Sequence, residues 1–201
     1  MTTHPSNHQR FGDPLAAKIC WSPLNKGGSG GRTRKLVFRG THKIEFSPTA
    51  LGLFFPVLFF VAGIFLIHAA IRSSSPFTIG GLIFGIVTLG VGGVFLYFVM
   101  TKSVFDKASG VFYKTHRKIN SKGNLEFTPQ REPLDQIHAL QLVGESVRLE
   151  NRSAFMSYEL NLVLGSGKRI NIADHGNLDA IRQDARILSE FLEKPLWDGI
   201  V

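Results

Sequence analysis

The sequence predicts a membrane α-helical hairpin joined to an α+β domain, an antiparallel sheet or open barrel closed by a carboxy-terminal amphipathic helix. Three observations carry that prediction. Thr49 to Ile71 and Thr78 to Met100 are apolar runs of 23 residues each, without Asp, Glu, Lys or Arg, and only Arg72 to Phe77 part them. The 101 residues after them alternate apolar and polar positions between turn signals. The final element, from Leu178 to Leu192, gathers its apolar residues on one helical face.

A helix needs about 20 apolar residues to cross the hydrocarbon core, so each run is long enough. A six-residue connection makes the two helices antiparallel, with every backbone group satisfied inside its own helix. The runs begin too far into the chain for a cleaved signal peptide, so both are expected to persist. Gly81, Gly85, Thr88 and Gly92 recur at helical spacing and place small side chains on one face of the second helix. Gly52, Gly63 and Ala70 on the first helix can meet that face, and Pro56 can kink the first helix near its start. The same stripe also suits a homo-oligomer. No intramembrane charge marks an ion path or proton relay, which argues against a transporter.

The net charge of +8 divides unevenly: residues 1–48 carry +6, Arg72 adds one, and residues 101–201 carry +1. Arg32, Arg34, Lys35, Arg39 and Lys43 precede the first helix, and Lys102, Lys107, Lys114, Arg117 and Lys118 follow the second. The positive-inside rule then puts both termini in the cytoplasm, with the chain integral to the cytoplasmic (inner) membrane. The high pI is thereby a property of membrane flanks, with no nucleic-acid partner implied. Basic flanks also favour anionic lipid, at about 1 kcal/mol per residue near the surface. Lys102, Lys114, Arg117, Lys118 and Lys122 are the candidates to contact lipid headgroups or an acidic partner. As an alternative, the stretch around Lys114 to Lys122 is a solvated strand edge protected by lysine.

Residues 1–35 are rich in Pro, Gly, Ser and Asn and read as a flexible basic tail. Within it Asp13-Pro14 can cap a short helix through Leu15, Ile19 and Trp21, although so short a helix is marginal alone. Residues 36–48 alternate as two short strands or a hairpin leading to the membrane helices at 49–100. In the domain at 101–201, Val104-Phe105 and Val111-Phe112-Tyr113 flank a turn at Asp106 to Gly110. Leu125 and Phe127 mark a further strand, and Ile137 to Val143 another after the break at Pro133. Tyr158 to Leu164 turns at Gly165-Ser166-Gly167 into Arg169 to Ile172, the strongest hairpin signal in the chain. Asn177 is the expected helix cap, and Pro195 the stop. Strands followed by one amphipathic helix are the order of a pleckstrin-homology-like fold.

Candidate chemistry is sparse. Cys20 is the one cysteine, excluding an intrachain disulfide. Asp174-His175 has no nucleophile placed beside it and reads as a turn into the helix. Gly165-Ser166-Gly167-Lys168 lacks phosphate-loop spacing. The seven histidines show no metal-ligand pattern, so no metal or cofactor is expected. Leu196 and Trp197 are expected to fold back onto the domain or to offer a hydrophobic contact.

The motif FDKASGVFY (Phe105 to Tyr113), the strand pair Tyr158 to Ile172 and the closing FLEKPL (Phe191 to Leu196) resemble the two-helix photosystem I assembly factor family of chloroplasts and cyanobacteria. The resemblance covers roughly residues 40–196 and extends to bacterial membrane-anchored pleckstrin-homology-like proteins. It implies a membrane-anchored architecture and a scaffolding role. The expected function is therefore that of a non-enzymatic scaffold, assembly factor or accessory subunit of a membrane protein complex. A membrane immunity protein against a bilayer-acting toxin, or an anionic-lipid-binding module, are the alternatives.

Overall fold

The computed structural model describes residues 10–25, 27, 28, 30–73, 78–119, 125–148 and 154–200, with side chains described outside 115–129. The two apolar runs form helices α2 (Ala50–Arg72) and α3 (Thr78–Val99), each long and apolar enough to cross a membrane. Thr49 caps α2 by accepting from the Gly52 amide at 3.2 Å. The helices pack antiparallel along a seam of glycines. A Cβ on Gly92 would lie 2.7 Å from the Phe60 Cα, and one on Gly63 would lie 2.6 Å from the Leu89 Cα. Gly85 meets Ile67 and Gly81 meets Ala70. Absent side chains are what let the two backbones touch. The outward faces, with Phe54, Phe55, Phe65, Ile79 and Phe84, are exposed.

Two sheets make up the folded domain. The first has the order β1–β2–β3–β4–β5, formed by Arg34–Phe38, Lys43–Pro48, Ser103–Asp106, Val111–Ile119 and Leu125–Pro133. Every neighbour is antiparallel. Because β2 pairs directly with β3, Lys43 opposite Asp106 and Phe46 opposite Ser103, the hairpin is an insertion between two adjacent strands. The strands before the two apolar helices thus belong to the same sheet as those after, rather than forming a separate lead-in at 36–48. Between β3 and β4 the Asp106 carboxylate accepts from the Ala108 and Ser109 amides, and Gly110 supplies a positive φ of 67°.

The second sheet has the order β8–β7–β6–β9, from Arg169–His175, Phe155–Leu164, Ile137–Val147 and Leu196–Asp198. Its hairpin turns at Gly165 to Gly167 as its sequence indicates, and β9 adds in parallel to β6. Trp197 is thereby folded back and buried. Helix α4 (Leu178–Leu192) is capped by the Asn177 side chain and ends at Glu193, which adopts a left-handed conformation. Its Ile181, Ala185, Leu188 and Leu192 join Phe46, Phe105 and Phe112 of the first sheet and Leu140, Leu142, Leu160 and Leu162 of the second in one core.

The expected flexible tail is different in the described residues. Helix α1 (Pro14–Lys18), capped by Asp13, lies with Trp21 on the outer face of the second sheet. Trp21 stacks on Phe11 at 5.4 Å and sits 6.4 Å from Trp197, while Ala139, Val143 and Val163 complete the cluster. Polar side chains of the sheet satisfy the leader's backbone. Gln141 donates to the Cys20 carbonyl, Arg169 to that of Ser22, and the Glu159 carboxylate accepts from the Leu24 and Asn25 amides at 2.8 Å each. A segment too short to hold a helix alone is held because it finishes burying the sheet.

Candidate functional site

The hairpin is fastened to the domain at its base. The Thr49 hydroxyl donates to the Arg32 carbonyl at 2.6 Å, and the Thr49 amide donates to that of Thr33. Gly52 faces the Thr33 backbone, so this expected helix-packing residue serves the junction instead of the seam between the helices. From β1, the Arg34 guanidinium donates to the Val99 and Thr101 carbonyls at the carboxy-terminal end of α3. A cation there meets unpaired carbonyls and the negative end of the helix dipole. Arg32 pairs with Asp184 of α4 at 3.0 Å and links the junction to the core helix.

Beside this junction lies a carboxylate that gathers two cations. Glu45 on β2 is buried and accepts from Arg39 and Lys102 at 2.9 Å each and from Ser47 at 2.6 Å. Burial works to raise its carboxyl, but the hydrogen bonds from Ser47, Lys102 and Arg39 together outweigh burial and hold it at about 2. The unfolded chain therefore takes up this proton near 4.5, before the folded one does. The stabilisation is complete above that value and is lost as pH falls through about 2. Glu45→Gln is expected to be less stable at neutral pH and to lose less stability on acidification. Denaturant melts followed by the fluorescence of Trp21 and Trp197 across that range check this. Equal pH slopes in the two proteins would show that the cluster does not form.

Next to the junction a cleft of about 270 Å³ is lined by Gly28, Thr33, Arg34, Lys114 and residues 171–174 of β8. Its shape comes from a β-bulge. Leu160 pairs with Ala173 and Asn161 with Asn171, leaving Ile172 as the extra residue of β8. The edge of β8 is covered by the first sheet: Ser103 donates to the Ile172 carbonyl at 3.3 Å and Lys114 Nζ to the Asn171 carbonyl at 2.7 Å. Asn171 in turn donates to Asp174 at 2.7 Å.

Burial and the neighbouring Arg34 push the Lys114 ammonium down to about 8, against the attraction of Asp174 and Glu159. Burial and repulsion from Glu159 raise the Asp174 carboxyl to about 6, against hydrogen bonds and charge from Asn171, Lys114 and Asn25. Behind them His175 is fully buried. Burial and the Arg32 charge lower its imidazole to about 4, and its Nδ1 accepts from the Asn177 amide at 3.3 Å.

The sequence-predicted residues therefore divide. Gly63, Gly81, Gly85 and Gly92 come together along the hairpin seam, while Thr88 donates to the Phe84 carbonyl of its own helix at 2.8 Å. Lys102 is held by Glu45. Lys114, expected on a basic outer face, turns into the cleft instead, because its register position opposite Ser103 aims it at the edge of β8. The side chains of Arg117 and Lys118, and all of Lys122, lie outside the described residues. Arg32, Arg34 and Asp174 are the members that sequence reasoning left unassigned. The first two were legible only as flanking charge. Asp174 and His175 belong to β8 rather than to a turn, because the bulge at Ile172 extends the strand out of simple alternation. Among the described residues no group of three or more His, Cys, Asp or Glu is placed to hold a metal ion. In comparison with known proteins, no family model and no curated protein matches the chain.

Proposed function

We propose that this chain is a non-enzymatic scaffold, assembly factor or accessory subunit of a membrane protein complex. The hairpin spans the cytoplasmic membrane, both termini are cytoplasmic, and a pleckstrin-homology-like domain stands at the inner face. Two antiparallel sheets sharing a core with a carboxy-terminal helix support the pleckstrin-homology-like reading. The helical insertion between β2 and β3 and the added strand β9 are this chain's departures from that pattern. Both ends of the hairpin return to the same side, where Arg32, Arg34, Arg39, Lys43 and Lys102 cluster, in keeping with the positive-inside rule.

The observation that carries the scaffold reading is the way the hairpin is built. Its inner face is closed by backbone contact at Gly63 and Gly92, and its base is bonded to the sheet at Arg34 and Thr49. Such a unit moves as one body and leaves its outer apolar faces for other membrane helices. A photo-crosslinking amino acid placed at Ile79 or Phe84, on the outer face, is expected to yield one recurrent membrane-protein adduct in native membranes. The same probe on the domain surface at Glu190, exposed on α4, should not give that adduct, and the partner should co-purify stoichiometrically in mild detergent. Recovery of the isolated chain with lipid adducts alone, across several detergents, would remove this reading.

A further inference from the structure

We infer that the cleft at the base of the hairpin binds a phosphodiester bearing a primary ammonium, the chemistry of a phosphoethanolamine headgroup. The inference rests on the hairpin lying in a bilayer, and stands apart from the identity of any protein partner. Position is the first argument. The cleft is lined by Thr33 and Arg34, whose bonds run to Thr49 at the start of α2 and to Val99 and Thr101 at the end of α3. Both helices leave the hydrocarbon there, so the cleft stands at headgroup depth. Its volume of about 270 Å³ admits a headgroup and not a pair of acyl chains.

Charge is the second argument. Arg34 and Lys114 bring two cations to the lining, and Asp174 brings one carboxylate. The guanidinium of Arg34 and the ammonium of Lys114 each keep N–H groups beyond their bonds to Val99, Thr101 and Asn171, and two such cations side by side suit phosphate oxygens. A carboxylate in the same small space suits an ammonium that can donate hydrogen bonds. Glu159 lies behind, with its oxygens engaged by the Leu24 and Asn25 amides and by Asn161 at 2.6 Å. The lining is also held in place beforehand, since Asn171 bridges Lys114 and Asp174.

The same lining rejects the common alternatives. A choline group has no N–H to donate and is recognised by aromatic faces, and among the described residues no aromatic side chain lines the cleft. A phosphoglycerol group offers no cation to Asp174, whose carboxylate would then face a second anion with only its bonds from Asn171 and Asn25 and the shared Lys114 charge to offset the repulsion.

The test uses the full chain in non-ionic detergent. Phosphatidylethanolamine, phosphatidylcholine and phosphatidylglycerol with identical acyl chains are titrated in, and bound lipid is counted by native mass spectrometry. The ethanolamine lipid is expected to bind about tenfold more tightly than either of the others, the worth of one charge-assisted hydrogen bond. Asp174→Asn should erase its preference over phosphatidylglycerol, while Glu190→Gln, on the exposed face of α4 and outside the cleft lining, should keep it. Equal binding of the three lipids by the parent chain overturns the inference even if the Asp174 variant does not fold. A preference that survives intact in a folded Asp174→Asn protein overturns it too. Soluble glycerophosphoethanolamine that displaces the lipid at similar concentration supports the chemistry and identifies a free diester as a source. Failure to displace, with the lipid preference intact, supports it with the membrane as the source. Displacement by inorganic phosphate as effective as by glycerophosphoethanolamine overturns the assignment of an ammonium.

Discussion

Gly92→Ile is expected to break the hairpin, lowering the stability of the chain by about 3 kcal/mol, at the upper end of overpacking effects. Gly90→Ile, two positions away, is expected to change it hardly at all. The contrast follows from what each new side chain meets. At Gly92 the first atom of any side chain lies 2.7 Å from the Phe60 Cα and 2.9 Å from the Phe59 carbonyl carbon, so backbone must move. At Gly90 nothing stands within 4 Å. A flexible neighbour could yield to a methyl group, but a helix backbone yields only by separating the two helices along their length. In lipid that separation forfeits dispersion contacts without any compensating release of water. Gly63→Ile should behave like Gly92→Ile, because its neighbour is the Leu89 backbone. Thermal melts of the full chain in one detergent, with the three glycine variants compared, provide the measurement. Matching melting temperatures for the Gly90 and Gly92 variants would mean that the seam is not the contact described.

Trp21→Ala is expected to release the amino-terminal leader, with a loss of about 3–5 kcal/mol in leader docking. Trp21 is 6% exposed, stacks on Phe11 and donates through Nε1 to the Ala16 carbonyl at 2.8 Å, closing its own short helix. Removing the ring empties the centre of the Phe11, Trp21 and Trp197 cluster. Limited proteolysis should then cleave near Lys18 in the variant and not in the parent. Glu159→Gln should weaken docking less, because the amide oxygen still accepts from one of the Leu24 and Asn25 amides that the two carboxylate oxygens met, while its NH2 loses the other. Leader cleavage at the same rate in parent and Trp21→Ala protein would show that the segment is not held by this cluster.

The two long apolar helices, the strands and the closing helix were legible because each depends on a local pattern. Twenty-odd apolar residues, period-two alternation around Gly110 and Gly167, and the Asn177 cap act within a few residues of themselves. The docked leader was not, because Phe11, Trp21 and Trp197 are brought together by the sheet and not by spacing. One trace of it stood in the sequence. Ala139 to Val143 and Leu160 to Leu164 are apolar at every position but Gln141 and Asn161, where a strand with one wet face would alternate, and all ten residues are buried. Near-continuous apolar runs in an antiparallel sheet mean that both faces are covered, and here the leader is the second cover. The cleft was hidden for a different reason. Arg34, Lys114 and Asp174 are far apart in the chain, and the bulge at Ile172 changes which side chains of β8 point inward. No period can reveal an inserted residue.

The placement of the helices between β2 and β3 sets an order of assembly. Pairing those strands closes a loop of about fifty residues, which a disordered connection would make unfavourable by its lost freedom. A hairpin already packed along its glycine seam returns its two ends side by side, so that loss is met before the strands meet. Helix pairing thus turns a distant strand pairing into a neighbouring one, and the sheet can grow outward from the base of the hairpin. On the proposed membrane reading the lipid phase would act as a template for the first sheet: a chain kept out of it would hold every strand of the domain yet lack the event that aligns β2 with β3.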